Sequence, residues 1–332
     1  MESGHRIEES ADYFGALYPY VCNDNITDID YNGEELWLTD CRNMRKQIEL
    51  PKVTGDFVNQ FTNRVANTVS KPFNKQHPIL EAETKCLRIT VVHESVAITG
   101  RSFCIRKSLP YVRMTAFNML QEQYCSQETL QLLQNCVRQK KNIVFCGEPG
   151  VGKTECAKFF SGYIDPKDRV ITIEDNPEWH YREMYPGRDS IALRISEQMD
   201  YTSAIKTCLR LNPKWMMLSE ARSTEVAYLM EGFSTGVKGF TTLHTDDVRK
   251  VPDRIINMSS GEGNQLRLEN DIYMFIDVAV LICRKMIRTR DNREIGQRYI
   301  DQVCFFHRRN GQNEIEMMVE GGVYCGNKTA VG

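Results

Sequence analysis

No two cysteines in this chain fall at C-x-x-C spacing, although it carries 12 Cys. No matching His or Cys pairs stand nearby, which excludes a zinc finger, ribbon or similar metal framework and a small disulfide scaffold. Several thiols, among them Cys146, Cys283 and Cys304, sit inside apolar stretches. They read as buried cysteines of a reducing compartment. No apolar run is long enough for a bilayer: the longest near the C-terminus, 275–283, is short and carries Asp277. The N-terminal residues are acidic and have no apolar core of the kind a signal peptide needs. These absences predict a soluble, cytoplasmic chain. Internal repeats and low-complexity tracts are also missing. Neither sign of charge dominates, with Lys+Arg 42 against Asp+Glu 44, so a dedicated duplex-DNA binder is disfavoured.

What is present is an ordinary globular composition, 41% hydrophobic and 26% charged over 332 residues, a length that favours two domains. The near-neutral total conceals an uneven distribution. Residues 1–40 contain ten acidic side chains and a single basic one, Arg6, whereas 284–309 contain eight basic and three acidic. Such segments are commonly solvated faces, and here are also candidates for surfaces facing different neighbours. The first part of the chain mixes strand patterns at 34–39, 86–92 and 102–106 with a helical pattern at 57–66. Ser108-Leu109-Pro110 breaks the pattern. The predicted organisation is therefore an α+β domain over 1–110 and an α/β domain over 111–332. Strands of the second are expected at 142–147, 169–174, 215–220, 239–244 and 277–283.

Gly147-Glu148-Pro149-Gly150-Val151-Gly152-Lys153-Thr154 satisfies G-x-x-x-x-G-K-[ST]. An apolar strand enters it, and a helix expected over 155–164, beginning at Glu155, leaves it. Glycines in that pattern let backbone N–H groups converge on phosphate oxygens. The helix N-terminus adds partial positive charge, Lys153 is placed for the β- and γ-phosphates, and the Thr154 hydroxyl is a Mg²⁺ ligand. The observation points to a nucleoside triphosphate, ATP with Mg²⁺. The next strand ends at Glu174-Asp175 and the third at Glu220. Carboxylates at these strand ends lie where α/β proteins bind ligands, and Glu220 is suited to hold Mg²⁺ directly or through water. His244 closes the fourth strand; it reads either as an ordinary structural histidine or as a sensor of the γ-phosphate.

Taken together, four blocks resemble the traffic ATPases of type II and type IV secretion systems and type IV pili, closest to the conjugation-type and Flp-pilus assembly members. They are GEPGVGKT, ITIEDNPEW, LRLNPKWMMLSEARSTEV and STGVKGFTTLHTDD. In order they look like Walker A, the Asp box, Walker B with flanking arginines, and the His box. The stretch from Pro78 to Lys107 is similar to the segment preceding the ATPase core in the same members. Ser219 stands where the family commonly has Gly, Lys214 where it has Asp, and Val237 where it often has His. These departures mark a divergent branch without removing a metal or phosphate ligand.

The resemblance implies a RecA-like P-loop core behind a smaller α+β domain, with nucleotide held between the two. It also implies a hexameric ring, peripheral to the cytoplasmic membrane, that works with inner-membrane secretion or pilus platform proteins and has no sequence-specific nucleic-acid contact. Glu174 and Glu220 are then the acids from which the general base is drawn. His244, Arg210 and Arg222 belong to the catalytic set, with Arg106 at the nucleotide and Arg88 and Arg101 as further arginine candidates. Two other readings stand beside this one. A nucleic-acid-dependent RecA-like motor of the helicase class would need a basic, aromatic-lined channel, for which 284–309 is the candidate. A nucleotide-binding scaffold without turnover would need a missing acid.

Overall fold

Apolar runs in the second half of the chain become strands buried on both faces, while alternating runs in the first half build a sheet with one face covered. The computed structural model describes residues 7–49, 51–221, 225–259, 265–288, 292 and 294–326. Contacts divide it into two units, Met1–Leu109 with Arg288–Gly296, and Pro110–Ile287 with Gln297–Gly332.

In the first unit β1 (Ile26–Tyr31), β2 (Leu36–Asp40), β3 (Arg45–Ile48), β4 (Ile79–Glu83), β5 (Leu87–Val92) and β6 (Ser102–Lys107) form one sheet in the order β3-β2-β1-β6-β5-β4. Every pair of neighbours in it is antiparallel. β5 shows the cause most plainly: Leu87, Ile89 and Val91 are buried and Arg88, Thr90 and Val92 are not, the period-two pattern of a half-covered sheet. The helix Gly55–Thr68 starts where the Thr54 hydroxyl accepts from Phe57 N. It lays Val58, Phe61 and Val65 into a core with Phe14, Ile29, Leu38 and Phe103.

The second unit is built on a nine-stranded sheet containing β7 (Ile143–Cys146), β8 (Val170–Glu174), β9 (Ser190–Arg194), β10 (Trp215–Leu218), β11 (Lys238–Leu243), β12 (Val278–Arg288), β13 (Glu294–Arg309), β14 (Gln312–Glu320) and β15 (Val323–Tyr324). Their order is β15-β14-β13-β12-β7-β11-β10-β8-β9. From β12 to β9 every neighbour is parallel. Alternate residues feed separate cores on the two faces. Phe145, Trp215, Met217 and Phe240 pack on one face with Phe160 of the helix Lys153–Ser161. Val144, Ile171, Met216 and Leu218 pack on the other with helices Tyr201–Arg210 and Glu225–Ser234. Strands covered on both sides need continuous apolar sequence, which is why IVFC and WMML are fully buried. At the sheet's lower edge Asn142 locks three strands together. Its Nδ2 donates to Phe275 O at 2.6 Å, its Oδ1 accepts from Gly239 N at 2.9 Å, and its own N–H donates to Asp277 at 2.8 Å.

No helix among the described residues is long and apolar enough to cross a membrane. Cys125, Cys136, Cys146, Cys156, Cys208 and Cys304 are buried thiols, whereas Cys283, expected with them, is only partly buried because β12 leaves the covered part of the sheet from that residue on.

Candidate active site

The parallel strands β7, β8, β10 and β11 all end at the same edge, so the residues that follow them, Gly147, Asp175, Ser219-Glu220 and His244, converge there. The loop after β7 turns on three glycines with positive φ, Gly147 at 142°, Gly150 at 76° and Gly152 at 93°. Gly152 is also the left-handed N-cap of the helix Lys153–Ser161, and no side chain caps that end. Its free N–H groups and the helix dipole point at the loop's concavity.

Lys153 is buried, at 8% exposure. Its ammonium donates to Gly147 O at 3.0 Å and Glu148 O at 3.1 Å, and lies 3.1 Å from His244 Nδ1. Across the ring, His244 Nε2 is 2.6 Å from Glu220 Oε1. Nδ1 is also 3.2 Å from Gly147 O, so its role follows the tautomer: with the proton on Nε2 it accepts from Lys153 while Nε2 donates to Glu220, and with a proton on Nδ1 it donates to Gly147 O. Lys153, His244 and Glu220 thus form a continuous hydrogen-bonded chain across the ends of three strands. Burial pushes the Lys153 pKa down, against the pull of the Glu220 carboxylate. Ser219 O accepts from Thr242 Oγ1 at 2.7 Å and Ala221 N donates to Thr242 O at 3.1 Å, which ties the Glu220 turn to β11.

Glu174 behaves differently. Its Oε2 accepts from Glu178 N at 2.7 Å and Trp179 N at 2.9 Å, so the carboxyl folds the 175–179 loop back over the strand end. Glu178, which the motifs did not single out, is carried by that loop to the phosphate side, where it accepts from Thr154 Oγ1 at 3.2 Å. Its only sequence signal was its place in the acid-rich ITIEDNPEW block. Burial pushes the Glu174 carboxyl up to about 7, opposed by its two backbone N–H donors. The folded protein therefore keeps this proton where the unfolded chain, with an ordinary value near 4.5, has lost it. Stability linked to Glu174 is full below the unfolded value and is lost as pH rises through about 7, an effect of roughly 3 kcal/mol. Glu174→Gln keeps an acceptor for both N–H groups. It should melt above the wild-type protein at alkaline pH and flatten the dependence between these limits. Equal pH dependence of melting in the two proteins would contradict the burial account.

The remaining sequence-expected residues are not all brought here. Glu155 follows Thr154 in the first helical turn and pairs with the buried Lys158 at 3.1 Å. Arg210 is exposed on the last turn of Tyr201–Arg210, and the next residue's carbonyl accepts from Arg169 at the start of β8 at 2.8 Å. Arg210 therefore stands at the opposite edge of the sheet from the phosphate loop. Sequence adjacency to β10 concealed this, because the helix before β10 runs back against the strands. Arg222 lies outside the described residues. In the first unit, Arg106 pairs with Asp28 at 2.8 Å, Arg101 with Glu94 at 2.7 Å and Arg88 with Glu81 at 3.5 Å.

Comparison with known proteins agrees with this arrangement. An uncharacterised protein of Bacillus anthracis is 28% identical over 271 residues, 80% of this chain and 61% of that protein. The type IV secretion system protein VirB11 of Bartonella quintana is 26% identical over 221 residues, 62% of this chain and 58% of its own. The chain thus spans about three fifths of the length of these relatives. Among solved structures, the Yersinia pseudotuberculosis ATPase DotB superposes with a TM-score of 0.64 at 15% identity, covering 91% of this chain and 81% of that one. That likeness shows the fold, a RecA-like P-loop core preceded by a smaller α+β domain. Residues 79–326 match the model of the type II/IV secretion system protein family, three quarters of the chain, with the phosphate loop and the strand-end acids inside the match; the chain is a member of that family.

Proposed function

We propose that the chain hydrolyses ATP to ADP and phosphate and, as a hexameric ring, powers a type IV secretion, conjugation or pilus-assembly machine at the cytoplasmic membrane face. The observation that carries this is the Lys153–His244–Glu220 chain at the mouth of the phosphate loop. Loop N–H groups and the helix N-terminus bind the β-phosphate, and Lys153 exchanges its contacts with Gly147 and Glu148 for β/γ oxygens. Because His244 touches both Lys153 and Glu220, loss of the γ-phosphate changes the hydrogen-bond partner of one and the setting of the other.

Hard oxygen donors suit Mg²⁺: the Thr154 hydroxyl beside Glu178 is the nearest set, with Glu220 acting through water. Among the described residues no group of three or more His, Cys, Asp or Glu forms a cage, as fits an ion that takes most of its ligands from water and phosphate. When bound, Mg²⁺ neutralises charge developing on the phosphate oxygens. Glu174 organises the loop that carries Glu178. Glu178 and Glu220 are the carboxylates that face the Thr154 and His244 side of the site.

The test is phosphate release from ATP by the purified chain with and without Mg²⁺, with light scattering under the same conditions. Mg²⁺-dependent turnover in a ring-sized particle supports the proposal. A chain that releases no phosphate, or stays monomeric in every nucleotide state, defeats the corresponding half. Stimulation by single-stranded DNA would move the reading to the helicase class.

A further inference from the structure

Arg298 lies in the Arg-rich 284–309 segment, outside the four nucleotide-site blocks, yet it touches the phosphate loop. The period-two alternation of β13 puts it on the same face as Ile300, which packs in one core with Cys156, Ala157 and Phe160 of the helix Lys153–Ser161. Two hydrogen bonds fix that stretch of strand: Gln297 Nε2 donates to Glu122 O and Ile300 N donates to Tyr124 O, both at 2.7 Å. From there the guanidinium reaches the crown of the loop. Its Nη2 donates to Gly150 O at 3.0 Å, and a Cβ built on Gly152 would stand 3.4 Å from Nη1.

This contact has a direction. Lys153 takes the carbonyls of Gly147 and Glu148 from within the site, so a donor from β13 on Gly150 O grips a different part of the loop. It also polarises the Gly150–Val151 peptide, whose Val151 N–H donates to Glu148 O at 3.5 Å, and so stiffens the crown of the loop.

We propose that Arg298 is a positioning residue of the phosphate loop, holding the Gly150–Gly152 crown in its anion-binding shape through the hydrogen bond to Gly150 O. This rests on the nucleotide-binding reading above. The experiment is calorimetric titration of the full chain with Mg²⁺-ADP, alongside melting curves without nucleotide. Arg298→Met and Arg298→Gln should each weaken binding about tenfold, the loss expected from a charge-assisted hydrogen bond. Arg298→Lys should recover most of that loss. Melting without nucleotide should stay within about 2 °C of wild type in all three.

Binding by Arg298→Met and Arg298→Gln within about twofold of wild type overturns the proposal. So does an affinity loss that Lys does not recover and that tracks an equal loss of unliganded stability, since that is a purely structural role. Wild-type protein that fails to bind ADP removes the nucleotide reading and this inference together. Wild-type binding with unaffected variants removes the inference alone.

Discussion

Lys153→Ala should lower ATP turnover by at least a hundredfold, roughly the cost of removing one preorganised charge from a phosphoryl-transfer site, without unfolding the protein. Lys153 is 8% exposed and its pKa is pushed down by burial. The folded state therefore pays to keep it charged, and a lowered lysine pKa gives stability that rises with pH toward the unfolded value. Removing the charge relieves that cost, while the carbonyls of Gly147 and Glu148 and the His244 ring lose a donor. The two effects oppose each other, so the melting temperature at neutral pH should hold or rise as activity disappears. Phosphate release measured beside a melting curve checks both halves. Hydrolysis at the wild-type rate would remove Lys153 from the site, and a collapse in melting would show that it acts mainly as a structural pin.

The second large effect belongs to Gly147→Ala. At φ 142° the backbone is in a region that L side chains rarely adopt, and a Cβ there would stand 2.4 Å from Ile282 O and 2.8 Å from Val151 Cγ2. One obstacle is the backbone of the neighbouring strand β12 and cannot rotate away. Strain and clash together should cost about 3 kcal/mol, roughly 8 °C in the melting of a unit this size, with nucleotide binding lost as the loop moves. Gly187→Ala is the control: its φ is 91°, but nothing lies within 4 Å of the added carbon. It should cost only about 1 kcal/mol of conformational strain and leave binding intact. Equal losses in the two variants would show that backbone strain, and not the approach of β12, sets the requirement for glycine at 147.

Much of the second unit was legible because its central strands are short continuous apolar runs. The ranges expected at 142–147, 169–174 and 239–244 enclose or border Ile143–Cys146, Val170–Glu174 and Lys238–Leu243. The phosphate loop was equally plain, being contiguous. What escaped is settled by pairing across the chain. β9 is an edge strand with half-exposed residues, and its register against β8 gives no apolar run to read. β13 and β14 are antiparallel, polar on one side and shifted in register at Val303/Cys304, which blurs their period. Expected to stop at 283, β12 runs on to Arg288 through the exposed Arg284, Lys285 and Met286, because hydrogen bonding to a partner strand continues where hydrophobicity ends. Arg298 and Glu178 are the same lesson at the site. Each reaches the loop by way of an element whose path depends on the whole sheet, so no local spacing marks it.

The buried thiols carry a practical consequence for spectroscopy. Burial lifts Cys125, Cys136, Cys156, Cys208 and Cys304 to about 12 and the partly buried Cys283 to about 11, which keeps them protonated and slow toward alkylating dyes near neutral pH. Cys22 and Cys325 are exposed, one in the first unit and one in the second. Brief maleimide treatment of the unmodified chain should therefore favour these two over the buried thiols, with the partly exposed Cys41 reacting after them. The native sequence thus already supplies an attachment point in each unit, with no new cysteine to introduce.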